Sequence, residues 1–354
     1  MYQPKFTITN EILKNIGQIE AAKEVIENAP LIPAYEKQFK SEAIIKTIHH
    51  GTHIEGNDLS LSQTKQVLEG QSIVAKERDI QEVINYRNVM NLIDELGAKR
   101  GGYDSSMLEE IHKETVEKIV PPEKAGSLRK TQVVLKEEGT GKVVFKPPSY
   151  VEVPFLLQDF FDWLNSSKIE DYHPILLAGI VHYVLVSIHP FVEGNGRTTR
   201  AFATLVLLRS GYDLKRFLSL EEHFDSDLEG YYSAFSQTDE QSPDISERDL
   251  TSWLEYFTKV VSIELTKIKE RVRKLSIDSK IRGKIGSQIT LSERQTKLVE
   301  FLNEKGASVM QELRRVLPMV SEDTILRDVT DLIEKKIVKK EGKTKAAKYA
   351  MVQK

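Results

Sequence analysis
The chain has 354 residues, which is long for one small domain and points to two or three folded units. Hydrophobic residues make up 40% and charged residues 29%, which excludes a disordered polar chain. There is no cysteine, so disulfides, thiolate metal sites and a thiol nucleophile are excluded, and a reducing, cytoplasmic setting is expected.

The first residues, MYQPKFTITN, lack a basic-then-apolar leader pattern, so none is expected. Apolar periodicity predicts helices over 10–28 and 36–55, separated by a loop with Pro30 and Pro33, and then over 62–70, 76–96 and 106–119. Two β-branched runs around EEGTG predict a hairpin over 131–146, ended by Pro147 and Pro148. Helices resume over 152–165, 174–188, about 195–209 and 225–236. The apolar run Ile175–Ile188 is too short to span a bilayer, so it reads as a core helix and no membrane association is expected. A long charged helix is expected over 248–274, with a polar break at 281–288 and a compact unit beyond. Residues 280–354 hold 17 Lys and Arg against 10 Asp and Glu, an excess that sets the tail apart.

The informative segment is His189-Pro190-Phe191-Val192-Glu193-Gly194-Asn195-Gly196-Arg197-Thr198-Thr199-Arg200. Pro190 stops the preceding helix with His189 at its edge. The glycines let backbone approach a ligand, and the next helix begins at once, so its free N–H groups and dipole attract an anion there. Arg197 and Arg200, three apart, put two cations at that same positive end, an arrangement that calls for a bound phosphate chain. Glu193 stands where a carboxylate would hold Mg²⁺ against phosphate oxygens.

These twelve residues match every defined position of HPFx[D/E]GNGRxxR, the signature of the Fic (filamentation induced by cAMP) family, which the chain resembles over roughly residues 40–240. The resemblance implies a mainly α fold: a Fic helical core with a β-hairpin flap, flanked by further helices. It implies ATP- and Mg²⁺-dependent transfer of AMP to a Ser, Thr or Tyr hydroxyl of a target protein, and to the chain itself. His189 would be the base and Glu193 the Mg²⁺ carboxylate. Gly194, Asn195 and Gly196 would cradle the phosphates through backbone and amide donors. Arg197 would neutralise leaving-group charge and Arg200 hold the γ-phosphate. Tyr231 and Tyr232 fall where members carry an adenine-side tyrosine pair, though aromatic core packing explains them equally. The target would dock on the 131–146 hairpin.

Many members carry an inhibitory helix ending in [S/T]xxxE[G/N], whose glutamate occupies the second arginine. Glu55-Gly56 matches its end, but Gly51 stands where Ser or Thr is expected, and Thr52 is one place late. Autoinhibition by Glu55 is therefore expected, with the hydroxyl contact in doubt. His49 and His53, four apart, could share a metal, but no third ligand is evident. His112 and His182 are expected to be packed.

The tail resembles a winged helix, with Ser321 capping its third helix, Thr324 and Arg327 exposed, and KKEGKTKAAKYAMV as the wing. DNA or a protein is its expected partner. Asp323, Asp328, Asp331 and Glu334 would oppose DNA. The expected organisation is an N-terminal helical region over 1–95, with the inhibitory segment at 36–57, a catalytic core over 96–245, a connecting helix and linker over 246–288, and a winged helix over 289–354. A homodimer stays open. Two other readings are removal of AMP from the same target and a DNA-binding regulator whose nucleotide site only senses ATP.

Overall fold
The structure, a computed structural model, describes the chain apart from residues 1, 32, 100, 137, 138, 140, 142, 213, 286–290, 343–346, 353 and 354. The described residues form fourteen α-helices and five short strands: α1 (Asn10–Asn28), α2 (Pro33–His53), α3 (Leu61–Leu68), α4 (Glu77–Ala98), α5 (Ser105–Thr115), β1 (Leu135–Lys136), β2 (Val143–Phe145), α6 (Val153–Leu164), α7 (Pro174–Ile188), α8 (Asn195–Arg209), α9 (Glu221–Ser226), α10 (Leu228–Asp239), α11 (Thr251–Ile285), α12 (Glu293–Lys305), β3 (Ser308–Val309), α13 (Met310–Val316), α14 (Glu322–Glu334), β4 (Val338–Glu341) and β5 (Lys348–Met351). The fold is mainly α, as the periodicity predicts. None of the described helices is long and apolar enough to cross a membrane.

Two compact units emerge. One comprises Met1–Glu24 and Gln38–Ile268, the other Val25–Lys37 and Lys269–Lys354. The first is organised around α7, whose sequence PILLAGIVHYVLVSI is apolar on every side, so it is buried on every side. Full burial of each large apolar side chain contributes roughly 1.5–3 kcal/mol. Gly179 admits α11 closely: a Cβ there would stand 2.9 Å from Leu254 and 3.0 Å from Phe257, and its carbonyl accepts from Trp253 Nε1 at 2.7 Å. The second unit has its own core, with Leu298, Val299 and Leu302 of α12 packed with Leu313, Ile325, Val329, Leu332, Val338 and Tyr349. Its three strands form an antiparallel sheet in the order β3-β5-β4.

Several boundaries differ from the sequence expectation. Helix α5 stops at Thr115 rather than 119, because the buried Asn85 amide donates to the carbonyls of Thr115 at 3.2 Å and Glu117 at 2.7 Å. Helix α2 starts at Pro33, in place of a loop, since proline is tolerated in a first turn. The stretch over 225–236 is two helices broken at Asp227, whose carboxylate accepts from Gly230 N at 3.3 Å and caps the second. Helix α11 continues to Ile285, through most of the stretch expected to be a break. Strands β1 and β2 pair antiparallel, Leu135 opposite Phe145 and Lys136 opposite Val143. Of the predicted EEGTG turn, Glu137, Glu138 and Thr140 lie outside the described residues, as does the tip of the expected wing at 343–346.

Candidate active site
The site is built where α7 ends and α8 begins. His189 caps α7 in the left-handed conformation, φ 52° and ψ 61°, a strained choice for a non-glycine residue that turns the chain into the Pro190–Gly194 loop. Arg129, only 3% exposed, fixes that turn. Its Nε donates to His189 O at 2.8 Å, its Nη2 to Pro148 O at 2.6 Å, and its own N–H to Pro190 O at 2.9 Å. One guanidinium thus joins the loop to the segment leaving the hairpin. Phe145 of β2 brings its ring edge-on to His189, centroids 5.9 Å apart.

Burial pushes the His189 imidazole down to about 4, although the Val186 backbone and Glu55 act in the opposite direction. The ring is therefore neutral at pH 7, the form that can accept a proton. His112 supports the loop from below. It stacks on Phe191 with centroids 3.7 Å apart, contacts Glu193 O through Nε2 at 3.0 Å and accepts Gly126 N–H at Nδ1, 3.0 Å away. Burial pushes His112 down to about 4 as well, which suits this neutral bridging role.

Gly194 is the α8 N-cap at φ 77°, where a Cβ would come within 2.6 Å of Val116 Cγ1. Asn195 also has a part within the loop. Its amide oxygen accepts from Phe191 N and its amide nitrogen donates to Phe191 O, both at 2.9 Å, so the side chain closes the loop and the backbone N–H groups are left to face a ligand. Arg197 and Arg200 are 2% and 3% exposed. Arg197 Nε and Nη1 and Arg200 Nε are buried without a hydrogen-bond partner. The nearest anion to Arg197 Nη1 is Glu82 Oε1 at 3.4 Å. Buried guanidinium N–H groups without a hydrogen bond, in the first turns of a helix, fit an anion such as a phosphate chain.

Glu55 reaches this position from the turn after α2. Its Oε1 accepts from Arg200 Nη2 at 3.0 Å, and a Cβ on Gly196 would lie 2.2 Å from it, so the carboxylate rests directly on the second glycine of the signature. Burial would raise its pKa, but Arg200 and Arg197 outweigh that and hold it below the usual carboxylate range. Arg200 also donates to Gly51 O at 2.8 Å. The Thr52 hydroxyl bonds back to Ile48 O at 2.9 Å and gives Arg200 nothing. Residue 51 has no room for a side chain: a Cβ there would meet Tyr86 Cε1 at 2.4 Å. Tyr86 is fully buried with its hydroxyl on Glu221 Oε1 at 3.2 Å.

Glu193 lies at the mouth, one-third exposed, and Arg78 Nη2 donates to its Oε1. Tyr231 is buried with its hydroxyl 2.8 Å from His182 Nε2, while Tyr232 is 53% exposed beside it, ring centroids 5.4 Å apart. Burial first, and the Glu55 charge after it, raise the Tyr232 pKa. His49 and His53 have different partners. His50 and His53 each place Nδ1 2.7 Å from an Asp225 oxygen, His49 faces Thr64 Oγ1, and no metal-binding group of three is found among the described residues. A cavity of about 470 Å³ between α2, α4 and α8, lined by Thr47, Met90, Leu207 and Glu221, holds none of the signature residues.

Comparison with known proteins points the same way. A model of the Fic/DOC family matches residues 102–207. The chain is 34% identical over 178 residues to a protein adenylyltransferase Fic of Drosophila grimshawi and 31% identical over 202 residues to one of Culex quinquefasciatus. The matches take in 50% and 56% of this chain but span only 35% and 39% of those relatives. Among solved structures, a Fic family protein from Desulfovibrio desulfuricans superposes with a TM-score of 0.64 over 100% of this chain and 99% of its own, at 24% identity. A Fic domain-containing signaling protein from Bacteroides thetaiotaomicron gives 0.63 over 74% of this chain and 96% of its own, at 25% identity. Residues 102–207 of this chain thus form a Fic/DOC domain, and the fold around them is that of Fic proteins of known structure.

Proposed function
We propose that this chain transfers AMP from ATP to a Ser, Thr or Tyr hydroxyl of a target protein, and to itself, and that Glu55 holds it back. The observation that carries this reading is the set of unpartnered guanidinium N–H groups buried at the α8 N-terminus beside a neutral His189. His189 takes the proton from the incoming hydroxyl. The hydroxyl oxygen forms a bond to the α-phosphorus, the α–β bridging bond breaks, and pyrophosphate leaves. The backbone N–H groups of Gly194–Gly196 and the Arg197 guanidinium stabilise the charge that grows on the departing oxygens. Arg200 takes the γ-phosphate once Glu55 moves away. The donor set also fits Mg²⁺, since a part-exposed carboxylate, Glu193, borders the phosphate cradle. When bound, that ion neutralises phosphate charge. The exposed apolar residues Val134, Leu135 and Val143 of the hairpin suit an extended target segment laid alongside. Tyr231 and Tyr232 would flank the adenine.

The test is incubation with label carried on the α-phosphate of ATP, comparing wild type with His189→Ala. Label on protein in the first and none in the second is the expected result. Equal labelling overturns the reading. Removal of AMP is a second reading, favoured by the ionised Glu55 beside the cradle, placed to accept a proton from water. Release of AMP from modified protein by wild type, lost in Glu55→Gly, would support it.

For the second unit, we read α12–α14 with the three-stranded sheet as a winged helix. One of the carboxylates expected to oppose DNA, Asp328, is buried and paired with Arg294 at 2.8 Å, and a second, Asp331, is part-exposed but paired with Lys335 at 2.5 Å. Arg327 stays exposed. That favours DNA as partner, tested by titrating duplex at two salt concentrations. Binding that weakens steeply with salt supports it, and none at low salt refutes it.

A further inference from the structure
Arg78 stands in the first turn of α4, where a cation opposes the helix dipole unless an anion joins it. Two anions do. Its Nε donates to Glu82 Oε1 at 3.2 Å, and its Nη2 donates to Glu193 Oε1. Glu82 is 4% exposed, with Asn57 Nδ2 donating to its Oε2 at 3.0 Å and Arg197 Nη1 3.4 Å from its Oε1. Arg78 thus uses separate nitrogens for the two carboxylates, Nε for Glu82 and Nη2 for Glu193. Arg78 is 56% exposed, so its far end can leave Glu193 for solvent at little cost.

We propose that Arg78 is a resident counter-ion for Glu193: its guanidinium occupies the carboxylate that a phosphate-bound divalent cation needs, so the cation and Arg78 compete for it. This rests on the reading of Glu193 as the metal carboxylate. Two cations cannot share one part-buried carboxylate without repulsion. Entry of Mg²⁺ then requires the Arg78 Nη2 to swing away from Glu193, while its Nε can keep its hydrogen bond to Glu82. The resting site is closed twice by its own side chains, with a carboxylate, Glu55, on the arginine that awaits phosphate and a guanidinium, Arg78, on the carboxylate that awaits metal. Loss of the Glu55 contact alone leaves the second closure in place, and the demand for Mg²⁺ is set by Arg78.

The experiment uses the full chain carrying Glu55→Gly, so that ATP enters freely. Calorimetry measures the Mg²⁺ concentration that half-saturates the ATP-loaded protein, and ATP affinity in EDTA separately. Arg78→Gln, which keeps a donor for Glu82, is expected to lower the half-saturating Mg²⁺ by about fivefold, in line with a part-exposed ion pair, and to leave ATP affinity in EDTA unchanged. In a Glu193→Gln background the same substitution should have no effect. An unchanged or raised Mg²⁺ demand in Arg78→Gln overturns the proposal. So does a matching loss of ATP affinity in EDTA, which would make Arg78 a phosphate ligand. If Glu193→Gln itself leaves the demand unchanged, the assignment of Glu193 falls first and takes the proposal with it. Thermal melts of both variants check folding.

Discussion
Replacing Glu55 by glycine is the perturbation that most directly separates inhibition from catalysis. Glu55 and the γ-phosphate are both anions seeking Arg200, which is 2% exposed against 27% for the Glu55 side chain. The pair is a charge-assisted hydrogen bond of 3.0 Å, a class that contributes about 1.5–3 kcal/mol. Partial solvent access at the carboxylate argues for the middle of that range. A shift of about 2 kcal/mol toward the phosphate-accepting state corresponds to about a thirtyfold rise in transfer rate. Arg200 does not collapse when Glu55 goes, because Gly51 O still accepts from its Nη2 at 2.8 Å. The assay is the initial rate of protein labelling from ATP for wild type, Glu55→Gly, Arg200→Ala and the double variant. The double variant should fall back to the wild-type rate or below, since the ligand exposed by the first change is deleted by the second. An unchanged rate in Glu55→Gly would refute the inhibitory role, and a fully active double variant would refute Arg200 as the γ-phosphate ligand.

Other perturbations follow the same geometry. His189→Ala should abolish transfer and change ATP affinity by less than about twofold, because the base is not a phosphate ligand. In Glu55→Gly, transfer should stay level from pH 7.5 to about 5.5, because burial has pushed His189 down to about 4; an acid limb centred near 6.5, the free-histidine value, would contradict that. Stability should fall with acid. Burial pushes His112 down to about 4 and His182 to about 3, so between those values and 6.5 the unfolded chain binds more protons than the folded one. Their contribution is complete above pH 6.5 and is lost as pH drops toward 4, at up to about 3 kcal/mol per pH unit for the two together. Thermal melts from pH 7.5 to 5 should show a steepening decline, and a flat profile would exclude it. Gly51→Ser restores the hydroxyl of the inhibitory pattern yet should activate. Its Cβ would stand 2.4 Å from Tyr86 Cε1, and overpacking of this kind costs about 1–3 kcal/mol. Labelling should rise about tenfold and return toward wild type when Tyr86→Ala makes room; lower labelling in the single variant would show that the added hydroxyl serves inhibition.

The sequence was most legible where chemistry and local geometry coincide. His189 through Arg200 is contiguous, and its proline, glycines and arginines each act within a turn of their own position, so the cradle could be drawn residue by residue. The residues that complete it come from elsewhere in the chain. Arg78 meets Glu193 across 115 positions, and Arg129 meets His189 across 60. No period or spacing announces such pairs; the only local signal was Arg78 placed at a helix start. Tyr86 reads as one more apolar position of a helix, and its relation to Gly51 exists only after α2 is laid across α4. The same limit explains the helix ends. Thr115 ends α5 because Asn85, thirty residues earlier, takes the carbonyls the helix would have used. Asn195 was assigned to the phosphates because it sits among them, whereas its amide oxygen and one amide N–H are bonded to Phe191.

The Arg129 junction bears on how such a protein could tell one target from another. The His189 carbonyl and the Pro148 carbonyl at the root of the hairpin hang on a single planar, rigid group. A tilt of the hairpin root would therefore be passed to the turn carrying His189, as from a beam to its pivot. If targets dock on the hairpin as proposed, a segment that lies poorly along it could still adhere, but the tilt it imposed would carry the imidazole off the line to its hydroxyl. Misalignment of an ångström at the reacting atoms can cost on the order of a hundredfold in rate. Discrimination would then be read in turnover more than in affinity: a mismatched target would occupy the site, compete for it, and leave unmodified.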